Sequence, residues 1–152
     1  MHGHVKQVRL RDYFITAFLF VLFFWAYSTI IPFSPPQSSV TIGGTTISVE
    51  LARTPAEQER GLSGRETLPE GTGILFIFDY PDYLGFWMPD MHFAVDIVWI
   101  GTDWYIIDIT HDVTPESYPD IFTPSLPAQY VFEVPAGSAE RYGWKVGDEV
   151  HF

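Results

Sequence analysis

The sequence predicts a mainly β fold, a small β-sandwich or barrel-like domain with one or two short helices, preceded by a single transmembrane helix. Two observations lead to this prediction. Nineteen consecutive uncharged residues stand near the N-terminus. From Val40 onward, apolar and polar residues mostly alternate in short segments separated by turn-forming residues, which is the pattern of half-buried strands. Seven or eight such strands favour a sandwich or a barrel.

Residues 13–31 contain no charged residue, no proline and no glycine. As a helix this run would span roughly 28 Å, about the thickness of a bilayer's hydrocarbon core. A buried helix of a globular domain would carry a polar stripe, and a cleaved signal peptide would have a shorter apolar region followed by a small-x-small site. Residues 26–28 match such a site poorly. The run therefore predicts an uncleaved signal anchor.

The charges beside this helix predict its orientation. Three cations precede it, Lys6, Arg9 and Arg11. No Lys or Arg follows it until Arg53. Because Lys and Arg are enriched on the cytoplasmic side of membrane helices, we expect residues 1–12 to form a cytoplasmic tail. We expect a Pro/Ser spacer at residues 32–39 and an extracytoplasmic domain at residues 40–152, so that the protein is a single-pass protein of the cell membrane.

The predicted outer domain is strongly acidic. It contains five Lys or Arg residues against eighteen Asp or Glu residues, a formal net charge of −13. Nucleic acids and anionic lipids are bound through basic patches, so we expect no nucleic-acid partner. The chain has no cysteine, which excludes thiol catalysis and cysteine-ligated zinc.

The first two strands are predicted at residues 40–42 and 45–52. Between them stands Gly43-Gly44, a two-residue turn of the kind that joins hairpins. A short helix follows, because Thr54 and Glu57 form a capping box and Pro55 suits the first helical position. Gly61 is a suitable end for this helix.

The rest of the predicted domain is built from short strands and one further helical turn. Strands are expected where β-branched and aromatic residues cluster, at residues 74–79, 85–88, 93–100, 104–110, 129–134 and 149–152. Residues 101–103 are predicted to form a hairpin turn. Residues 138–142 are predicted to form one helical turn that ends at Gly143.

Asp96 is the most conspicuous candidate for chemistry, because it interrupts a strand that is apolar on both faces. A buried carboxylate is costly unless it is hydrogen-bonded or paired, and buried carboxylates with raised pKa are typical of acid–base sites. In the structural alternative, backbone amides or an arginine such as Arg60 or Arg65 would satisfy it. An open cleft around Asp96 would favour an enzyme, whereas closure by amides or Arg65 would favour a scaffold.

Aromatic, histidine and serine residues are the other candidates for binding or chemistry. Trp87 stands in an aromatic-rich stretch, and such residues either stack on flat ligands such as sugars or pack the core. His92 and His111 lack the spacing of a metal-ligand set, and Ser63 lacks the context of a nucleophile elbow. We therefore identify no catalytic residue and expect no metal and no cofactor.

Several segments together resemble the family named domain of unknown function 192. The family pattern runs T-x-x-E/Q-x-x-x-G-L-x-x-R, G-M-L-F-x-F, F-W-M-x-N-T and L-D-I-x-F-I. The matching segments here are residues 54–65, 73–76, 86–88, 95–97, 128–137 and 147–148. The sequence departs from the pattern at Ile74, in place of methionine, and at Asp90-Met91, in place of N-T.

The resemblance implies a compact, mostly β domain that is commonly exported or membrane-anchored, with no established activity. Arg65, Trp87 and Asp96 fall on its motif positions and are the candidate ligand-binding residues. The leading hypothesis is a ligand-binding or interaction module at the cell envelope, with a small molecule, a glycan or an envelope protein as partner. The alternatives are a hydrolase-type enzyme that uses Asp96 as acid or base, and a structural accessory subunit of a membrane complex.

Overall fold

The computed structural model describes residues 38–152. This part of the chain contains seven strands, β1 Ser38–Ile42, β2 Thr45–Ala52, β3 Thr72–Asp82, β4 Val95–Ile100, β5 Ile106–Val113, β6 Ala128–Pro135 and β7 Val150–His151. It also contains two short helices, α1 Pro55–Arg60 and α2 Ser138–Tyr142, and a 3₁₀ turn, Pro115–Ser117. The prediction of a mainly β domain with one or two short helices is confirmed.

The strands form one sheet in the order β5-β4-β6-β3-β2-β1-β7. The β2–β3 pair is parallel, and the other neighbouring pairs are antiparallel. At one end the two edges of the sheet meet, because Ile106 donates a hydrogen bond to the Asp148 carbonyl (2.9 Å) and Val150 donates one to the Trp104 carbonyl (2.8 Å). The architecture is a single curved sheet, a half-barrel. A β-sandwich would need two packed sheets, so of the two predicted alternatives the sandwich is wrong within residues 38–152.

Both faces of this sheet are covered. The inner face, which all seven strands line, carries one apolar cluster that includes Val40, Leu75 and Phe132, with α2 packed against it through Ala139. The opposite face of the central strands carries a second cluster that includes Phe76 and Trp99. Because β4 contributes to both clusters, all six of its residues are buried.

The local signals in the first part of the domain are confirmed. Gly43 and Gly44 have φ angles of 57° and 84°, which a two-residue hairpin turn requires, and they join β1 to β2. Thr54 accepts a hydrogen bond from the Glu57 amide, and the Glu57 carboxylate accepts one from the Thr54 amide. The capping box therefore starts α1, and Gly61 ends it. The last two residues of the predicted spacer belong to β1.

One predicted strand is wrong. Residues 85–88 form a single isolated bridge, between Phe86 and Phe122, rather than a strand of the sheet. The Phe86 amide donates to the Phe122 carbonyl at 2.9 Å, and the Phe122 amide donates to the Phe86 carbonyl at 2.8 Å. The segment instead runs over the outer face of the sheet, where Met88 is buried in the second apolar cluster. Its apolar residues cover a sheet and do not extend one.

The predicted signal anchor at residues 13–31 and the predicted tail at residues 1–12 lie outside the described residues. Within residues 38–152, no helix is long and apolar enough to cross a bilayer.

Candidate functional site

A cavity of about 400 Å³ lies on the outer face of the sheet. Its walls come from β3, from α1 with the turn after it, and from the covering loop, residues 85–91. The apolar part of the wall contains Phe76, Phe78, Phe86, Trp87, Met88 and Met91. A volume of this size falls in the lower part of the range of small-molecule pockets, about 300–1,000 Å³.

Close packing holds these walls in place. The ring of Phe86 meets Phe76 edge-to-face at 4.9 Å between centroids and meets Trp99 in the same way at 5.4 Å. At the end of α1, a Cβ on Gly61 would lie 3.2 Å from the Phe76 ring, so glycine lets the helix end approach β3. The Gly64 amide bonds the Asp90 carbonyl at 2.8 Å and ties the turn after α1 to the covering loop.

A buried acid, Glu133 of β6, lies at the sheet side of the cavity. It is only 5% exposed, and it lines the cavity together with the apolar residues. Among residues 38–152 its carboxyl has an electrostatic interaction with Arg65 but no hydrogen bond. Because every fully buried side-chain polar atom of these residues is hydrogen-bonded, the carboxyl oxygens are open to the cavity. Burial raises the pKa of Glu133 to about 8, although the nearby charge of Arg65 acts in the opposite direction. At neutral pH the cavity therefore contains a carboxylic acid rather than a carboxylate.

Arg65 lies beside this acid but is bound to another carboxylate. Its two guanidinium nitrogens donate to the two oxygens of Glu50 at 2.6 and 2.9 Å, the bidentate geometry that arginine favours. These hydrogen bonds lower the pKa of Glu50 and raise that of Arg65. In the strand register, Glu50, Ile74 and Glu133 form one row across β2, β3 and β6. Glu50 and Glu133 lie on either side of Ile74 in this row. By binding Arg65, Glu50 holds the guanidinium close enough to act on the pKa of Glu133.

Trp87 stands at the mouth of the cavity. It is 46% exposed, whereas the next residue, Met88, is 2% exposed. The covering loop therefore buries Met88 in the apolar cluster and leaves about half of the Trp87 side chain exposed to water. A half-exposed indole beside a cavity has a free surface on which a ligand can stack.

Asp96 is fully buried on the inner face of β4, away from the cavity lining. One carboxyl oxygen accepts from the Asp112 amide at 3.0 Å, and the other accepts from the Ala139 amide at 2.9 Å. The first donor arises at a β-bulge, because the β4–β5 register shifts between Val95 and Ile97. The second belongs to the first turn of α2, whose amides have no partner within the helix. Asp96 thus joins the bulge to α2.

The three residues predicted from the sequence are therefore not brought together. Trp87 lines the cavity, Arg65 flanks it through Glu50 and Glu133, and Asp96 lies on the other face of the sheet. Glu133 was not among the residues predicted from the sequence. The signal was present, since Glu133 interrupts the apolar strand at residues 130–134 just as Asp96 interrupts its own strand.

The comparisons with known proteins agree with this fold. A crystal structure of a protein of unknown function from Novosphingobium aromaticivorans DSM 12444 is 32% identical, with a TM-score of 0.73, covering 80% of this chain and 93% of that one. A candidate transcription regulator from Sinorhizobium meliloti 1021 is 29% identical, with a TM-score of 0.70, covering 78% and 96%. No curated protein sequence matches significantly.

A family model, that of domain of unknown function 192 (an "uncharacterized ACR"), matches residues 38–152. These are the residues that form the half-barrel, and they make up more than half of the chain. The resemblance noted in the sequence is therefore confirmed, and the chain belongs to the domain of unknown function 192 family.

Proposed function

We propose that this protein is a membrane-anchored ligand-binding module of the cell envelope. Its ligand is a small molecule with an apolar body and one polar group, bound in the cavity on the outer face of the half-barrel. The observation that carries this proposal is the buried carboxyl of Glu133 in an otherwise largely apolar cavity.

Removing a carboxyl from bulk water is costly unless hydrogen bonds replace those it made with water, and burial removes Glu133 from much of its water. The protein could avoid that cost with an apolar side chain at position 133, since both strand neighbours, Ile74 and Ile97, are apolar. A ligand that bonds the Glu133 carboxyl would recover the lost interaction and would gain contact with the aromatic walls. Pockets of this kind, apolar with a few polar groups, are typical of small-molecule sites.

Binding fits the site better than catalysis does. A general acid or base must lie within hydrogen-bond reach of the proton that it transfers, and a nucleophile or second catalytic group usually acts on the same substrate. Besides Glu133, the polar side chains of the cavity wall are Gln58, Glu59, Arg60 and Ser63, and Gln58 is already bonded to the Ile77 carbonyl. The enzyme hypothesis based on Asp96 loses its support, because backbone amides occupy both oxygens of Asp96.

The membrane part of the proposal rests on the sequence. The signal anchor at residues 13–31 would hold the domain outside the cytoplasm, with residues 1–12 inside. A role in transcription, as in the name of the Sinorhizobium protein, is not part of the proposal. DNA contact needs a basic surface, and the domain has a formal net charge of −13.

The test is a fragment screen by ligand-observed NMR on the full-length protein in a non-ionic detergent, followed by affinity measurements on two variants. Trp87→Ala should weaken the binding of a cavity fragment by about fivefold, since contact with an aromatic ring contributes about 1 kcal/mol. Tyr80→Ala is the matched control, because Tyr80 is 80% exposed and outside the cavity lining. If no fragment distinguishes the two variants, the proposal is wrong.

A further inference from the structure

We propose that the ligand of this cavity is an organic cation, a protonated or quaternary amine with an apolar body, whose charge pairs with Glu133. This inference rests on the proposed function, since it names the chemical class of the ligand for the same cavity. It is carried by three features of the described residues: a largely buried acid that forms no hydrogen bond or close ion pair, aromatic walls, and the balance of charges around the site.

Among residues 38–152, no cation forms a close ion pair with the acid. Arg65 is the cation whose field reaches Glu133, but its guanidinium is held by both oxygens of Glu50. The two form a pair whose net charge is zero. The position next to Glu133 inside the cavity is therefore open to a cation that the protein itself does not supply.

The walls suit the body of such a ligand. Phe76, Phe78, Phe86 and Trp87 surround the space beside the acid, and an ammonium group near the face of an aromatic ring is attracted by the ring quadrupole. Neighbouring rings are close to perpendicular, at 89° for Phe76 with Phe86 and 78° for Phe78 with Phe86. The wall thus combines differently oriented aromatic surfaces with a single acid, a combination found in sites for alkylated ammonium groups.

The other charged groups near the cavity balance one another. On α1, Glu59 and Arg60 both line the rim, and Arg60 acts with Arg65 on Glu50, whose pKa it helps to lower. On the covering side, Asp90 and His92 lie 3.8 Å apart, and their charges balance only when His92 is protonated. With Glu133 ionised, the two arginines face three carboxylates, Glu50, Glu59 and Glu133, so one negative charge is left for a ligand. The acidic domain as a whole would also steer cations towards it.

The opposite use of Glu133 makes the opposite prediction. As a neutral acid it would donate a hydrogen bond to a carbonyl or carboxylate of the ligand. Such a ligand would bind best at low pH, when the proton is present. A cation instead binds best when the proton has left, so its affinity should increase as the pH rises through the pKa of Glu133, about 8.

Isothermal titration calorimetry on the full-length protein in a non-ionic detergent tests this difference at pH 7 and pH 9. The probes are benzyltrimethylammonium, whose charge is the same at both pH values, N-benzylacetamide, a neutral hydrogen-bond acceptor, and phenylacetate, an anion. Benzyltrimethylammonium should bind about tenfold more tightly at pH 9, because the ionised fraction of Glu133 rises about tenfold around a pKa of about 8. Glu133→Gln should weaken binding at pH 9 and remove the pH dependence.

Glu66→Gln is the matched control, since Glu66 is exposed and outside the cavity lining, and it should retain the tenfold change. Circular dichroism verifies that both variants are folded. If N-benzylacetamide or phenylacetate binds more tightly at pH 7 than at pH 9, or if wild type and Glu133→Gln bind the cation equally, the cation assignment is wrong and the proposed ligand-binding function stands. If none of the three probes binds and the fragment screen finds no ligand, both are wrong.

Discussion

Replacing Glu133 by glutamine removes a buried titratable group from the cavity wall while keeping the size and shape of the side chain. The wild-type acid has a pKa of about 8 in the folded protein, raised by burial from a value of 4.5. A raised pKa means that the folded state keeps a proton that the unfolded chain releases. The stabilising contribution of that proton is fully present below about pH 4.5 and is lost as the pH rises to about 8.

The magnitude follows from the shift. Each pKa unit corresponds to about 1.4 kcal/mol, so a rise from 4.5 to about 8 costs the wild type roughly 5 kcal/mol of stability in total. The loss accumulates between pH 4.5 and 8 at about 1.4 kcal/mol per pH unit. Glutamine does not ionise, so the variant has no such loss. Any cost of its unpaired amide group is the same at every pH and shifts the whole curve without changing its slope.

The assay is urea denaturation of the fragment comprising residues 38–152, for wild type and Glu133→Gln, at intervals between pH 4.5 and 9. We expect the difference between the unfolding free energies of Glu133→Gln and wild type to change in favour of the variant as the pH rises. The change should be roughly 5 kcal/mol between pH 4.5 and pH 9. Glu66→Gln, which removes an exposed carboxyl, should show a much smaller change. If the wild-type and Glu133→Gln curves are parallel, the acid is not buried as described, and the argument built on it is refuted.

Three further predictions concern the fold and the topology. Thr54→Ala should lower the unfolding free energy by about 0.5–2 kcal/mol through loss of the capping acceptor; an unchanged urea midpoint would show that the cap contributes nothing. Asp96→Asn should cost roughly 2–4 kcal/mol, because two amides lose a charged acceptor and one then meets an N–H group; a loss below 1 kcal/mol in thermal melts would contradict the buried role. A reporter fused after Phe152 should be active only outside the cytoplasm, and cytoplasmic activity would refute the signal anchor.

Much of the local structure could be predicted from short sequence segments. Gly43-Gly44, Thr54 with Glu57, and Gly143 each act within one turn of the chain, and each is found where the sequence places it. The prediction of a strand at residues 85–88 was wrong, because the apolar content of a segment does not reveal whether it joins a sheet or covers one. Pairing with Phe122 decided that question, and Phe122 is remote in the sequence.

The candidate site shows the same division. The sequence identifies Trp87 as a possible contact residue, and the structure places it at the mouth of the cavity. In the sequence, Asp96 and Glu133 have the same local pattern, since each is a single acid within a largely apolar segment. Their different environments arise from the pleat and the register. Asp96 points to the inner face, where the bulge opposite β4 and the start of α2 supply amides. Glu133 points to the outer face, where it shares a cavity with aromatic rings.

The sequence by itself determined the β-rich class of the domain, its family, its acidic charge, its turns and helix caps, and the prediction of a signal anchor. These properties depend on composition or on neighbouring residues, so they can be obtained without the fold. Only the tertiary structure decided that the strands form one half-barrel, that a covering loop closes a cavity over β3, and that Glu133 rather than Asp96 faces it. Those features depend on pairings between residues far apart in the chain, and the free energy of a buried carboxyl depends on which of those distant groups surrounds it.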